Sequence, residues 1–327
     1  SKTTLGDPLT SLVDINFDST KAGQLSGLDS TLRISGNLTT KVILDHDTLQ
    51  GTMKSPVLHL YNQFGHYALQ NTNLGVSLSP QSSMINYQAD DAHIDLEANF
   101  DLREEVDFIS TWPTHILLHP DSLFALNGRR TLTASAVLQN DSLLHLLPWS
   151  VDTFSGLNLN AAWKEPDSLL SIEMHAGKLS AMGWAMDTVY ANVEVAGQTS
   201  KSKASLDGLR FGTTTFGDLS LSFQTPGDTI TSSIVLQRDT SNILGLHTRI
   251  HASGTTYQIF PDSLAVLGNY YRVDPNNPIQ IANQQILFRD FTLGHDDMHL
   301  SLTGDSSSIN ATFDHVNLTR LNALLFP

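Results

Sequence analysis

Histidines and carboxylates are the side chains in this sequence that could bind metal or move protons. There are 13 histidines. His295, Asp296, Asp297 and His299 crowd one short stretch, and His247 and His251 lie close together in another. Imidazole and carboxylate both ligate zinc at about 2 Å per bond. On a strand, residues i and i+4 share a face but stand roughly 13 Å apart at about 3.3 Å per residue. His247 and His251 therefore cannot share one ion on a regular strand. His295 and Asp297 are closer on one face, yet need a third ligand from elsewhere. The expectation is exposed polar strand positions and no metal. Glu104 and Glu105 are adjacent, so on a helix they point about 100° apart and cannot face each other as an acid/base pair. Their expected role is to solvate a helix. With no cysteine in the chain, disulfides, thiolate catalysis and cysteine-based zinc sites are excluded. There is no Gly-rich phosphate loop, Gly-x-Ser-x-Gly elbow or His-Glu-x-x-His motif. No catalytic residue and no cofactor is assigned, and a non-enzyme is expected.

The elements that would carry these residues are strands. Apolar residues alternate with polar ones at Leu32 and Ile34, Ile94 to Phe100, Leu132 to Leu138, Leu157 to Trp163 and Val189 to Val195. The pattern continues at Leu219 to Phe223, Ile234 and Leu236, Ile286 and Phe288, Leu300 and Leu302, and Ile309 to Phe313. Period-two alternation gives each strand one apolar and one polar face. Helix signals are few. Leu102–Ile109 has helical spacing and stops before Trp112-Pro113, which predicts a helix over 102–110. Short helices are also expected over 141–147 and 317–325. Asp followed by Ser or Thr recurs at Asp18, Asp29, Asp47, Asp121, Asp141, Asp167, Asp187, Asp228 and Asp262. Such pairs turn the chain through their own side chains, so a hairpin turn is expected at each. The same dipeptides resemble a bacterial O-glycosylation sequon.

One stretch echoes another. Ile116 to Leu126, with Pro120-Asp121-Ser122-Leu123, reads like Tyr257 to Leu267, with Pro261-Asp262-Ser263-Leu264. A repeated unit is expected, and repeats work as extended surfaces rather than as pockets. The organisation expected is one continuous repetitive β segment over 1–327, with repeat units of about 1–150 and 151–327.

Composition narrows the partners. Charged residues make up only 16% of the chain, and 33 acidic side chains outweigh 18 basic ones for a net charge of −15. That balance repels phosphate backbones, so no nucleic acid is expected as a partner. No apolar run is long enough to span a bilayer. The abrupt Ser1-Lys2-Thr3 start and Phe326-Pro327 end suggest a piece of a longer chain, with any anchor outside it.

The apolar face itself is then the candidate site. A sandwich would bury it under a second sheet; a curled sheet open along one side would leave it as a trough. The scarcity of large aromatics favours smooth trough walls. The inward lining expected is Leu159, Ala161, Val193, Val195, Leu221, Phe223, Leu236, Phe288, Leu300, Leu302, Ala311 and Phe313. An adhesin or glycan-binding module is the rival class. It should present exposed aromatic platforms, for which the tryptophans are Trp112, Trp149, Trp163 and Trp184.

The C-terminal third carries a resemblance. It runs Phe260-Pro261-Asp262-Ser263-Leu264, Ile279-Gln280-Ile281-Ala282-Asn283, Ile286 to Leu293, Met298 to Ser307, and Phe313-Asp314-His315-Val316-Asn317-Leu318-Thr319-Arg320-Leu321-Asn322. This resembles a repeat of the TamB and AsmA-like family, particularly of the Bacteroidetes type, over about 205–327 and more weakly over 116–150 and 27–60. The resemblance implies an elongated, curled antiparallel sheet, a U-shaped β-taco with an apolar groove. It implies a periplasmic protein anchored to the inner membrane outside this segment. It also implies phospholipid acyl chains as cargo, or assistance to outer-membrane protein assembly with an Omp85-type partner. It brings no catalytic residues.

Overall fold

Alternating residues become extended chain because only a strand can put every second side chain on one face. The computed structural model describes residues 2–4, 9–21, 31–63, 65–112, 115–116, 120–124, 128–140, 144, 151–226, 229–239, 241–253, 256–266, 268–274, 276, 278–282, 285–296 and 298–315. Among them are 24 strands, one α-helix and one 3-10 helix. The fold is all-β and antiparallel. Two compact units divide the chain: Ser1–Trp112 with Leu123–Asn192, and Pro113–Ser122 with Val193–Pro327. The division falls at 192/193, away from the 150/151 repeat boundary read from the sequence.

The first unit contains β1 (Lys2–Thr4), β2 (Leu9–Lys21), β3 (Arg33–Asp45), β4 (Thr48–Asn62), β5 (Gly65–Ser79), β6 (Ser82–Ala89) and β7 (Ala92–Ala98). After helix α1 (Leu102–Ser110) come β8 (Thr131–Leu138), β9 (Val151–Phe154), β10 (Leu157–Lys164), β11 (Leu169–Ala176), β12 (Leu179–Ala181) and β13 (Trp184–Met186). Strands β1 to β8 pair in chain order, then β8 pairs β10 and β10 pairs β11. A small arm of β9, β12 and β13 continues beyond β10 and β11.

The two units divide within β14 (Thr188–Ala196). The second unit then holds β15 (Thr199–Phe211), β16 (Thr214–Pro226), β17 (Thr229–Arg238), β18 (Ser241–Ser253) and β19 (Thr256–Val266). It continues with β20 (Asn269–Val273), β21 (Ile279–Ala282), β22 (Gln285–His295), β23 (Met298–Asp305) and β24 (Ser308–Asp314). These pair in order, except that β20 and β21 share the gap between β19 and β22. Bulges punctuate the ladders. Between Phe288 and Phe291, β22 spends one residue more than β23, with Asp290 at φ 53°. Asp262 is the extra residue of β19 against β18. Each bulge returns apolar side chains to one face.

Helix α1 matches the expected 102–110 span. Asp101 caps it by accepting from the Arg103 N–H at 3.0 Å. Hydrogen bonds from the Arg103 guanidinium hold the Asp101 carboxyl below its ordinary pKa. Buried Ser83 on β6 fastens the helix start: its Oγ donates to the Phe100 carbonyl at 2.8 Å and accepts from the Leu102 N–H at 2.9 Å. Glu105 does not solvate the helix as expected. It pairs with Arg130 at 2.7 Å and ties α1 to the start of the β8 region.

Other expectations fare unevenly. The Pro-Asp-Ser-Leu echo is not a structural repeat: Pro120–Phe124 is a 3-10 turn, whereas Pro261 to Leu264 lie within β19. Asp47 and Asp167 sit in hairpin turns, but Asp18 and Asp262 lie inside β2 and β19. Both fall at bulges: the paired residues flanking them, Phe17 and Thr20 on β2 and Pro261 and Ser263 on β19, carry the strand through and outweigh the local turn preference of these dipeptides. Asp29, Asp141 and Asp228 lie outside the described residues, as do the 317–325 helix and, apart from Leu144, the 141–147 helix.

Candidate functional site

Cross-strand partners in an antiparallel ladder point to the same side, so the registers trace the apolar face from strand to strand. In the first unit, Leu159 opposes Ala136 and Met174, and Ala161 opposes Ala134 and Ile172. The same rows continue to Ile94 and Leu96 on β7, then Tyr87 and Ile85 on β6 and Leu74 and Val76 on β5. All of these side chains are half-buried. In a two-layer core such positions would be fully buried.

Two buried rims flank this half-buried floor. One is the row Ser83, Ala98, Leu132, Trp163 and Leu170. Helix α1 and Leu123 close over it. Trp163 lies 1% exposed, with Phe100, Phe108 and Trp112 rings at 5.8, 5.9 and 5.6 Å, and its Nε1–H donates to the Leu123 carbonyl at 3.2 Å. The other rim is Ala89, Ala92 and Leu138, with Tyr87, Leu144, Phe154 and Leu157 packed against it. Leu157 and Trp163 are six residues apart on β10, so the floor is roughly 20 Å wide. Alanines at 134, 136 and 161 keep its middle shallow-walled.

In the second unit the registers bring eight expected lining residues to one face. Leu221 opposes Ala204 and Ile234, and Leu236 opposes Leu219 and Leu244. Through β18, β19 and β21 this face reaches Phe288, and across β22 it reaches Leu302, Leu300, Ala311 and Phe313. Leu221, Phe223, Leu236, Phe288, Leu300 and Leu302 are half-buried. Ala311 and Phe313 are exposed, Phe313 by 60%, because on β24 every residue is exposed on both sides. Val193 is half-buried and Val195 wholly buried on β14, so Val195 offers no surface to a ligand.

The face is not purely apolar. Phe223 lies between Ser202 and Ser232, and a stripe of hydroxyls crosses the second unit. These hydroxyls satisfy one another: Ser200 donates to Thr225 at 3.0 Å, and Ser232 bonds Thr248 at 2.5 Å. Sequence reasoning missed this stripe, although Ser and Thr at apolar-phase positions marked it.

The expected histidine cluster has a different setting. His295, Asp296 and His299 line a recess of about 760 Å³ with Tyr270, Arg272 and Asp274. It opens where β19 changes partner from β21 to β20. The register puts His295 opposite Met298 and His299 opposite Gly294, so the two rings leave the hairpin on opposite sides. His295 Nδ1 donates to the Tyr270 carbonyl at 2.7 Å. His247 and His251 stand on β18 opposite Ser263 and Gln258. No group of three or more metal-ligating side chains forms among the described residues. In the first unit a recess of about 430 Å³, around Lys41, Thr52, Gly75 and Met84, lies on the side opposite Leu159.

Comparisons with family models, curated proteins and solved structures find no match to this chain. The site is therefore argued from its geometry. Among the described residues, no helix is long and apolar enough to cross a membrane. Trp112 and Trp163 are buried in the α1 rim, and Trp149 lies outside the described residues. Trp184 is 42% exposed.

Proposed function

We propose that this chain is a lipid-carrying segment of a bridge-like protein of the TamB and AsmA-like type, working without catalysis. Its apolar sheet face would hold phospholipid acyl chains in a groove. In the longer protein, anchored to the inner membrane, that groove would lead across the periplasm toward an Omp85-type partner in the outer membrane. One observation carries the reading: in each unit, apolar side chains recur from strand to strand on one face and most of them remain half-buried, with a stripe of hydroxyls crossing the face in the second unit. Each methylene laid on such a face gains up to about 0.8 kcal/mol. Because the rows repeat with every strand, the gain differs little from place to place, and a chain can slide without a deep stop. The net charge of −15 keeps the remaining surface from adhering to anionic head groups.

Site-specific photo-crosslinking tests this. Phe223 is on the apolar face and Ser222 on the other, opposite Lys203 and Ser233. A photoreactive residue at position 223 should label copurifying phospholipid, and one at 222 should not. Equal labelling at both positions, or none at either, would refute the groove.

A further inference from the structure

The arm of β9, β12 and β13 ends in a hairpin unlike the others. Most described hairpin tips are polar: His46-Asp47, Pro80-Gln81, Asp90-Asp91, Gly197-Gln198, Gly212-Thr213 and Ser306-Ser307. The β12–β13 tip is Met182-Gly183, inside the run Ala181-Met182-Gly183-Trp184-Ala185-Met186, which holds no charge and no hydrogen-bonding side chain except the indole N–H. Met182 is 66% exposed and Trp184 42% exposed. The turn is built to present them. Met182 adopts φ 54° and Gly183 φ 81°, a two-residue turn that matches strand twist.

The arm also connects to the floor of the first unit. Phe154 packs against the Ala89, Ala92 and Leu138 rim. Leu179 opposes Phe154 on one side and Met186 on the other, and Ala181 opposes Val151 and Trp184. One apolar line therefore leads from the rim to the exposed tip. The other side of the arm carries the small residues Thr153, Ser180 and Ala185, and exposed Asp152 stands at the bulge of β9, on the strand away from the tip. Two glycines set the arm's departure. Gly156 takes φ 83°, and a Cβ on Gly177 would lie 2.3 Å from the Ser155 carbonyl oxygen.

We infer that the β12–β13 hairpin docks the protein on a lipid bilayer by seating Met182 and Trp184 in the interfacial zone. An indole has an apolar body and a hydrogen-bonding N–H, which suits the depth of the head groups. A two-residue tip is too small for a stable protein interface, which takes about 800 Å² per partner. It is large enough for shallow insertion. The chain's charge of −15 opposes approach to an anionic surface, so the preferred surface is zwitterionic. The docking surface goes beyond the groove reading and does not depend on it.

The test uses the full chain with vesicles of pure phosphatidylcholine and of phosphatidylcholine mixed with phosphatidylglycerol. Native protein should cosediment with the neutral vesicles and less with the anionic ones at low salt. Phosphatidylcholine brominated near the carbonyls should quench its tryptophan fluorescence, and Trp184→Phe should abolish the quenching. Met182→Ser with Trp184→Ser should lower partitioning at least about tenfold with an unchanged far-ultraviolet circular dichroism spectrum. Met182→Gln alone, at a side chain mostly in solvent, serves if the double variant misfolds. Equal partitioning of native and variant, or no quenching, overturns the proposal. So does a native dimer that the variant loses, with no vesicle binding by either, since the tip would then join two copies. Vesicle binding with no lipid labelling at position 223 would keep the docking surface and remove the groove.

Discussion

Trp163 fills the first rim because three aromatic rings and a carbonyl converge on it. Its place on the apolar face was legible from alternation with Leu157, Leu159 and Ala161. Its burial was not, because the ring is covered by α1 and Leu123, which arrive from distant stretches of sequence. Glu105 shows the same limit: its neighbour Glu104 is exposed, and only the fold brings Arg130 to one of the two. Trp163→Ala should destabilise the first unit by about 3–5 kcal/mol, since a large cavity would open between α1 and the sheet. Urea unfolding followed by circular dichroism measures it, and a loss under about 1 kcal/mol would mean that α1 does not seal this rim.

Strand positions were the most legible elements, because one apolar face demands period two over the whole strand. Breaks in that period were not legible. The Gly156 and Gly177 pair redirects two adjacent strands together, with the Gly177 N–H donating to the Gly156 carbonyl at 3.0 Å. In sequence these are ordinary glycines. Only the fold shows that one needs a positive φ and the other a vacancy at its Cβ. Gly177→Ala should cost about 1–3 kcal/mol, as expected for overpacking against backbone. Hydrogen exchange should speed up first in β12 and β13, while β10 and β11 keep their protection. Uniform loosening of the whole unit would show that the arm and the ladder are not separable.

At the scale of the molecule, an open apolar face and a high negative charge are complementary. The first leaves an apolar surface in reach of water, and the second keeps such a surface from sticking to other copies. The sequence left a sandwich and a trough both open, because alternation is the same in each. Half-burial along the rows separates them. On a half-buried face, an introduced carboxylate can reach water, so the fold should survive it. Leu221→Asp with Leu302→Asp should therefore leave the circular dichroism spectrum unchanged and remove copurifying phospholipid, because an acyl chain passing there would dehydrate the charge at a cost of several kcal/mol. Mass spectrometry of extracted lipid reads the result, and undiminished lipid in a folded variant would place the cargo elsewhere.

The bulges at Asp262 and between Phe288 and Phe291 give the chain something like a reading frame. Within a strand, inserting or deleting one residue would exchange the two faces from that point to the next turn. At a bulge, one residue has already been inserted and the exchange already corrected. Strand length in this protein is therefore free to drift by twos in most places and by ones at only a few. Those few places act as punctuation that keeps distant apolar residues in phase.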